Sequence, residues 1–77
     1  MDLNQAFSRV LRRVMRREGL SARRLAQETR MSPATVDRIV SGSQAVKLHQ
    51  VDQLAEGLSV TPAELVAQAS EVKAAAA

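Results

Sequence analysis

Seventy-seven residues suffice for one domain and a modest core, since a chain this short buries only about 60% of the surface exposed when unfolded. With no cysteine and one histidine, His49, disulfides, zinc ribbons, thiol nucleophiles and histidine-rich metal sites are excluded, and no cofactor is expected. Eleven basic residues face eight acidic ones, with a pI near 10.6, and the absence of any long apolar run leaves no membrane span and no signal peptide, so a cytoplasmic location is the expectation.

The chain reads as successive helices without an alternating strand pattern. Asp2 caps the first, with Gln5 at the capping-box position. Leu3, Phe7, Val10, Leu11, Val14 and Met15 form one stripe, and Gly19 stops it with Leu20 folding back. Ser21 caps a second helix running to about Thr29, with Leu25 and Ala26 inward. Ser32 then caps a third, which has Pro33 at its first position, Val36, Ile39 and Val40 as its apolar face, and Ser41–Gly42 as its end.

A loop from Ser43 to Val46 leads to a fourth helix over about Lys47 to Gly57, with Leu48, Val51, Leu54, Ala55 and Leu58 as the buried stripe. Thr61-Pro62-Ala63-Glu64 starts a fifth, combining an N-cap threonine, a first-position proline and a capping-box glutamate. Leu65, Val66 and Ala69 continue it. The last residues, SEVKAAAA, favour helix but have little to bury. The expected division is a domain over 1–70 and a short tail over 71–77.

Charge is distributed unevenly. Residues 1–42 carry nine arginines against Asp2, Glu18, Glu28 and Asp37, whereas residues 43–77 carry Lys47 and Lys73 against Asp52, Glu56, Glu64 and Glu71. A clustered basic half suits a polyanionic partner such as nucleic acid; a solvated arginine face is the competing explanation. Arg9, Arg12, Arg13, Arg16 and Arg17 line the outer side of the first helix as a largely solvated face, with one or two expected to reach a phosphate. A membrane-surface helix is rejected because its apolar side is needed for the core. His49 falls off the apolar stripe and reads as a surface histidine.

Residues 22–41 hold the main signal: two short helices joined by a tight turn, with Leu25, Ala26, Met31, Val36 and Ile39 as the apolar positions. Ala26 allows the helices to cross closely. This is a helix-turn-helix pattern, whose second helix enters the major groove. Taking about 100° per residue and Ala34 at 0°, Arg38 falls near 40° and Ser41 near 340°, opposite Ile39, Val36 and Val40 at about 140°, 200° and 240°.

The segments LRRVMRREGLSARRLA, MSPATVDRIVSG and VDQLAEGLSVTPAELV together resemble the lambda-repressor-like, Xre/Cro-type DNA-binding family over roughly residues 6–68. The resemblance implies an all-α, compact five-helix domain. Four departures stand out. Arg30 occupies a turn position where glycine is common. Ala22 replaces a phosphate-touching glutamine. Met15 and Val40 replace a charged pair and are expected to meet beneath the third helix. Pro33 and Ala34 open the recognition helix where polar residues are usual, which shifts base reading toward Thr35 and Arg38.

The expected base-facing set is therefore Arg38, Thr35, Ala34, Pro33 and Asp37, with Arg38 able to grip guanine O6 and N7 through two hydrogen bonds. Ser21, Ala22 and Arg23 at a helix N-terminus, and Ser43, Gln44 and Lys47 beyond the recognition helix, are the expected phosphate contacts. A homodimer through Leu58, Val60, Leu65 and Val66 would leave the basic half free for double-stranded DNA. The leading expectation is a sequence-specific transcriptional regulator, in the repressor sense. The alternative is a protein-interaction module of the same fold, such as an antitoxin or bridging factor. An enzyme is disfavoured by the lack of paired carboxylates, a nucleophile–base pair or a phosphate-cradling glycine loop.

Overall fold

The computed structural model describes residues 1–77. Five helices follow one another: α1 (Leu3–Glu18), α2 (Ala22–Thr29), α3 (Pro33–Ser41), α4 (Leu48–Leu58) and α5 (Pro62–Ala75). Each begins where local chemistry can satisfy its first N–H groups. Asp2 Oδ1 accepts from the Gln5 N–H at 2.8 Å while Gln5 Oε1 accepts from the Asp2 N–H at 2.9 Å. Ser21, Ser32 and Thr61 accept from the N–H three residues on, each at 3.1 Å. At Lys47 only the Gln50 carboxamide takes part, accepting the Lys47 N–H at 2.9 Å, so the lysine ammonium is left free.

The apolar stripes converge on one core. Val10, Leu11, Val14, Leu25, Val36, Ile39, Leu54 and Leu65 are essentially inaccessible to solvent, and α5 packs along α1. Met15 is 7% exposed and Val40 packs half-buried against the same core, so neither departure from the charged pair reaches solvent freely. No buried side-chain nitrogen or oxygen lacks a partner. No helix is long and apolar enough to cross a membrane.

Two expectations need correction. Leu48 is 86% exposed rather than part of the buried stripe of α4. Its angular position is right, but it is the first residue of its helix and overhangs the end of the packing partners. Leu3, first in α1, is 44% exposed for the same reason. The segment from residue 71, expected to fray or to extend the last helix, extends it: α5 runs to Ala75, because an alanine-rich sequence propagates helix well and Val72 still finds the core.

Two close approaches set the helix arrangement. A Cβ at Gly57 would stand 2.5 Å from Thr29 Cγ2, so α4 crosses α2 at a distance only glycine permits. The α2–α3 turn passes through Arg30 at φ 61°, a left-handed residue that costs about 1–2 kcal/mol without glycine.

Candidate nucleic-acid interface

The helix-turn-helix is α2, the turn at Arg30–Ser32, and α3. Val36 and Ile39 of α3 are buried against Leu25 and Ala26 of α2, which are 0% and 3% exposed. This leaves Pro33, Ala34, Asp37 and Arg38 on the open face, with Thr35 half-buried at its edge.

Arg38 is held by its neighbours rather than by a carboxylate. Its Nε donates to Gln44 Oε1 at 2.8 Å, and one terminal nitrogen lies 3.5 Å from Thr35 Oγ1. Asp37 takes no part. With Nε occupied, the terminal N–H groups are the ones left to meet a base edge, and a guanidinium offers them in a fixed fork. Thr35 Oγ1 accepts from Ser32 Oγ at 2.8 Å, so its own proton is available to a ligand. Gln44, expected on phosphate, is thus placed as the buttress of Arg38.

The loop after α3 is built on one carbonyl. The Ser43 and Gln44 N–H groups donate to the Arg38 oxygen at 3.0 and 3.2 Å, and Ser41 Oγ donates to it at 3.1 Å. Gly42 closes the helix at φ 84°, a conformation that disfavours any side chain. Lys47 follows, exposed at the N-terminus of α4.

The motif begins at the N-terminus of α2. Ser21 Oγ satisfies the Arg24 N–H, but the Ala22 and Arg23 N–H groups have no protein partner. Arg23 is exposed and unpaired, while Arg24 bonds Glu28 at 3.2 Å. Free N–H groups, the positive end of the helix and a guanidinium together suit a phosphate. Of the nine arginines in residues 1–42, only Arg17 and Arg24 have carboxylate partners, both in exposed pairs worth at most about 1 kcal/mol.

A row of α1 residues, of which only Arg12 was expected at the surface and Asn4 and Ser8 carried no expectation, anchors α3 and its loop. Asn4, Ser8 and Arg12 are spaced four apart and so lie in line. Asn4 Oδ1 accepts from the Val46 N–H at 2.9 Å, Ser8 Oγ donates to the Ile39 oxygen at 2.7 Å, and an Arg12 terminal nitrogen donates to the Val40 oxygen at 2.5 Å. The spacing beside an apolar stripe was the available signal. Arg12 is therefore no solvated arginine: it caps the carbonyl end of the recognition helix.

The four expected dimer residues divide. Leu58 and Leu65 are 5% and 0% exposed and belong to the monomer core, which corrects their placement on an interface. Val60 is half-buried and Val66 is 40% exposed. Val66 also lines the open apolar surface, a groove of about 280 Å³ whose walls further include Leu3, Phe7, Val46 and Leu48. Of its members the sequence marked only Val66 as exposed; Leu3, Phe7 and Leu48 read as stripe residues and Val46 as part of a loop.

Comparison with known proteins agrees with this architecture. The crystal structure of the clp gene regulator ClgR from Corynebacterium glutamicum superposes with a TM-score of 0.84 at 22% identity, covering 92% of this chain and 92% of that one. A second ClgR crystal structure gives 0.87 at 22% identity, covering 99% of this chain and 82% of that one. At such identity the likeness is one of fold. No curated protein sequence gives a significant match. The family described as "Helix-turn-helix domain" matches residues 6–68, which span all of α2–α4 and most of α1. Its defining motif binds DNA rather than performing catalysis. With more than three quarters of its residues inside that match, the chain belongs to the helix-turn-helix domain family.

Proposed function

We propose that the protein is a sequence-specific DNA-binding transcriptional regulator that inserts α3 into the major groove. The observation that carries this reading is Arg38: exposed, free of carboxylates, and braced by Gln44 and Thr35 on the open wall of α3. Pro33 and Ala34 ahead of it are small, which lets the N-terminal end of the helix sink toward the bases. Ser21, Ala22, Arg23, Ser43 and Lys47 flank α3 as backbone contacts, which set position without reading sequence. Membership of the helix-turn-helix family and the fold shared with a clp gene regulator support transcription as the setting. Occupancy of a site blocks other proteins from it, and repression is the proposed effect.

The active form is proposed to be a homodimer, with a second copy seated on the apolar groove. Leu48 is a projecting knob beside a hole, and a two-fold axis sets each knob in the other copy's hole. Three exposed large apolar side chains on the groove, Leu3, Leu48 and Val66, make a smaller core than the ~800 Å² per partner of a standard interface. The pair is therefore expected to assemble fully on DNA.

Selection of bound sites from random duplex DNA tests the reading. The expected outcome is a palindromic consensus whose half-sites lie about one turn, ~34 Å, apart. Recovery of no consensus, together with salt-independent binding, would overturn it in favour of a protein-interaction module.

A further inference from the structure

The five arginines of α1 have different surroundings. Arg17 pairs with Glu18, Arg13 donates to Gln68 Oε1 at 3.0 Å, and Arg16 stands exposed. Arg9 and Arg12 instead line a polar cleft of about 260 Å³ between α1 and the C-terminal end of α3. Met1, Gln5, Ser8, Ser41 and Gly42 complete its walls, and no carboxylate is among the lining residues.

Donors outnumber acceptors in this cleft. Arg9 makes no hydrogen bond to the protein, so its whole guanidinium is available. Arg12 is fixed through its bond to the Val40 oxygen and keeps further N–H groups unengaged. Gln5 accepts the Asp2 N–H through Oε1, which leaves its amide N–H groups unused. The opposing charge is the carbonyl end of α3, equivalent to about half an electron charge and already met by Ser8 and Arg12. Two guanidinium charges outweigh it, so the cleft favours an anion.

Position identifies the anion. Ser41 shares the open wall of α3 with Arg38, and its hydroxyl bonds the Arg38 carbonyl. The N-terminal residues of a recognition helix reach the bases, so its C-terminal end rises toward the strand bordering the groove. We propose that this cleft is a phosphate-binding site that grips the DNA backbone where α3 leaves the major groove, with Arg9 as the charge-bearing contact and Arg12 as the fixed donor. The inference rests on the DNA-binding reading above.

The test compares full-length wild type, Arg9→Gln and Arg16→Gln for affinity against salt concentration, on the selected site and on random duplex DNA. Arg9→Gln is expected to flatten the log–log slope on both DNAs by about 0.9 per protomer, the share of one phosphate, or about 1.8 for a bound dimer. Arg16→Gln, outside the cleft, should keep the wild-type slope, and melting temperatures should agree because neither side chain bonds the protein. A wild-type slope in Arg9→Gln overturns the site while leaving DNA binding intact. Equal flattening in both variants overturns it too, since it would report a diffuse field. A wild type whose binding ignores salt removes the DNA-binding reading itself.

Discussion

Arg38 and Gln44 are joined across the end of the recognition helix, Nε donating to Oε1 at 2.8 Å, six residues apart in sequence. The bond exists because Gly42 turns the chain back and both Ser43 and Gln44 dock on the Arg38 carbonyl. A long, flexible side chain is thereby held in place in the free protein, which lowers the entropy it would lose on forming a further contact.

Arg38→Ala should cost about 1–3 kcal/mol per half-site on the selected sequence and relax the preference at one base pair. Lys47→Ala should weaken selected and random DNA alike. Gln44→Ala should fall between wild type and Arg38→Ala on the selected site, since the guanidinium remains but is unbraced. Titrations on both DNAs separate these outcomes. Equal loss on both DNAs for Arg38→Ala would assign that residue to the backbone and leave specificity to Thr35, Asp37 or DNA shape.

Ser8→Ala removes a buried donor from the Ile39 carbonyl. The expected loss is about 1 kcal/mol, or roughly 4–8 °C in melting temperature for a domain this size. An unchanged melting curve would mean that the α1–α3 junction is held by packing and Arg12 alone.

Two backbone substitutions should act in opposite directions. Gly57→Ala drives a methyl into Thr29 and should destabilise by about 1–3 kcal/mol through overpacking. Arg30→Gly relieves a left-handed arginine, and after the added flexibility of the unfolded chain the gain should be about 0.5–1 kcal/mol. Thermal melts of both variants check the signs.

Leu48→Lys should leave the melting temperature of the monomer nearly unchanged, because the side chain is 86% exposed, yet abolish the dimer on DNA. Leu65→Ala should cost about 2–5 kcal/mol, since a fully buried leucine leaves a cavity. Sedimentation with and without the selected duplex distinguishes the two effects. A dimer that survives Leu48→Lys would place the interface off the groove.

Much of this protein was legible in its sequence because the signals are local. Capping residues at Asp2, Ser21, Ser32 and Thr61, prolines at 33 and 62 and glycines at 19 and 42 delimit helices through hydrogen bonds spanning three or four residues. Periodicity then separated Val36 and Ile39 from Arg38 and Ala34, which is enough to name the wall of α3 that faces outward. Tertiary structure alone decided what depends on a partner from another helix. Leu48 and Leu58 share the α4 stripe, but only Leu58 has neighbours to cover it. Leu65 and Val66 are adjacent, and the packing of α5 on α1 buries one while exposing the other. Arg9 and Arg12 read as one solvated face until the end of α3 folds against them. A side chain's angle about its own helix is written in the sequence, whereas its burial depends on where the neighbouring helices begin and end.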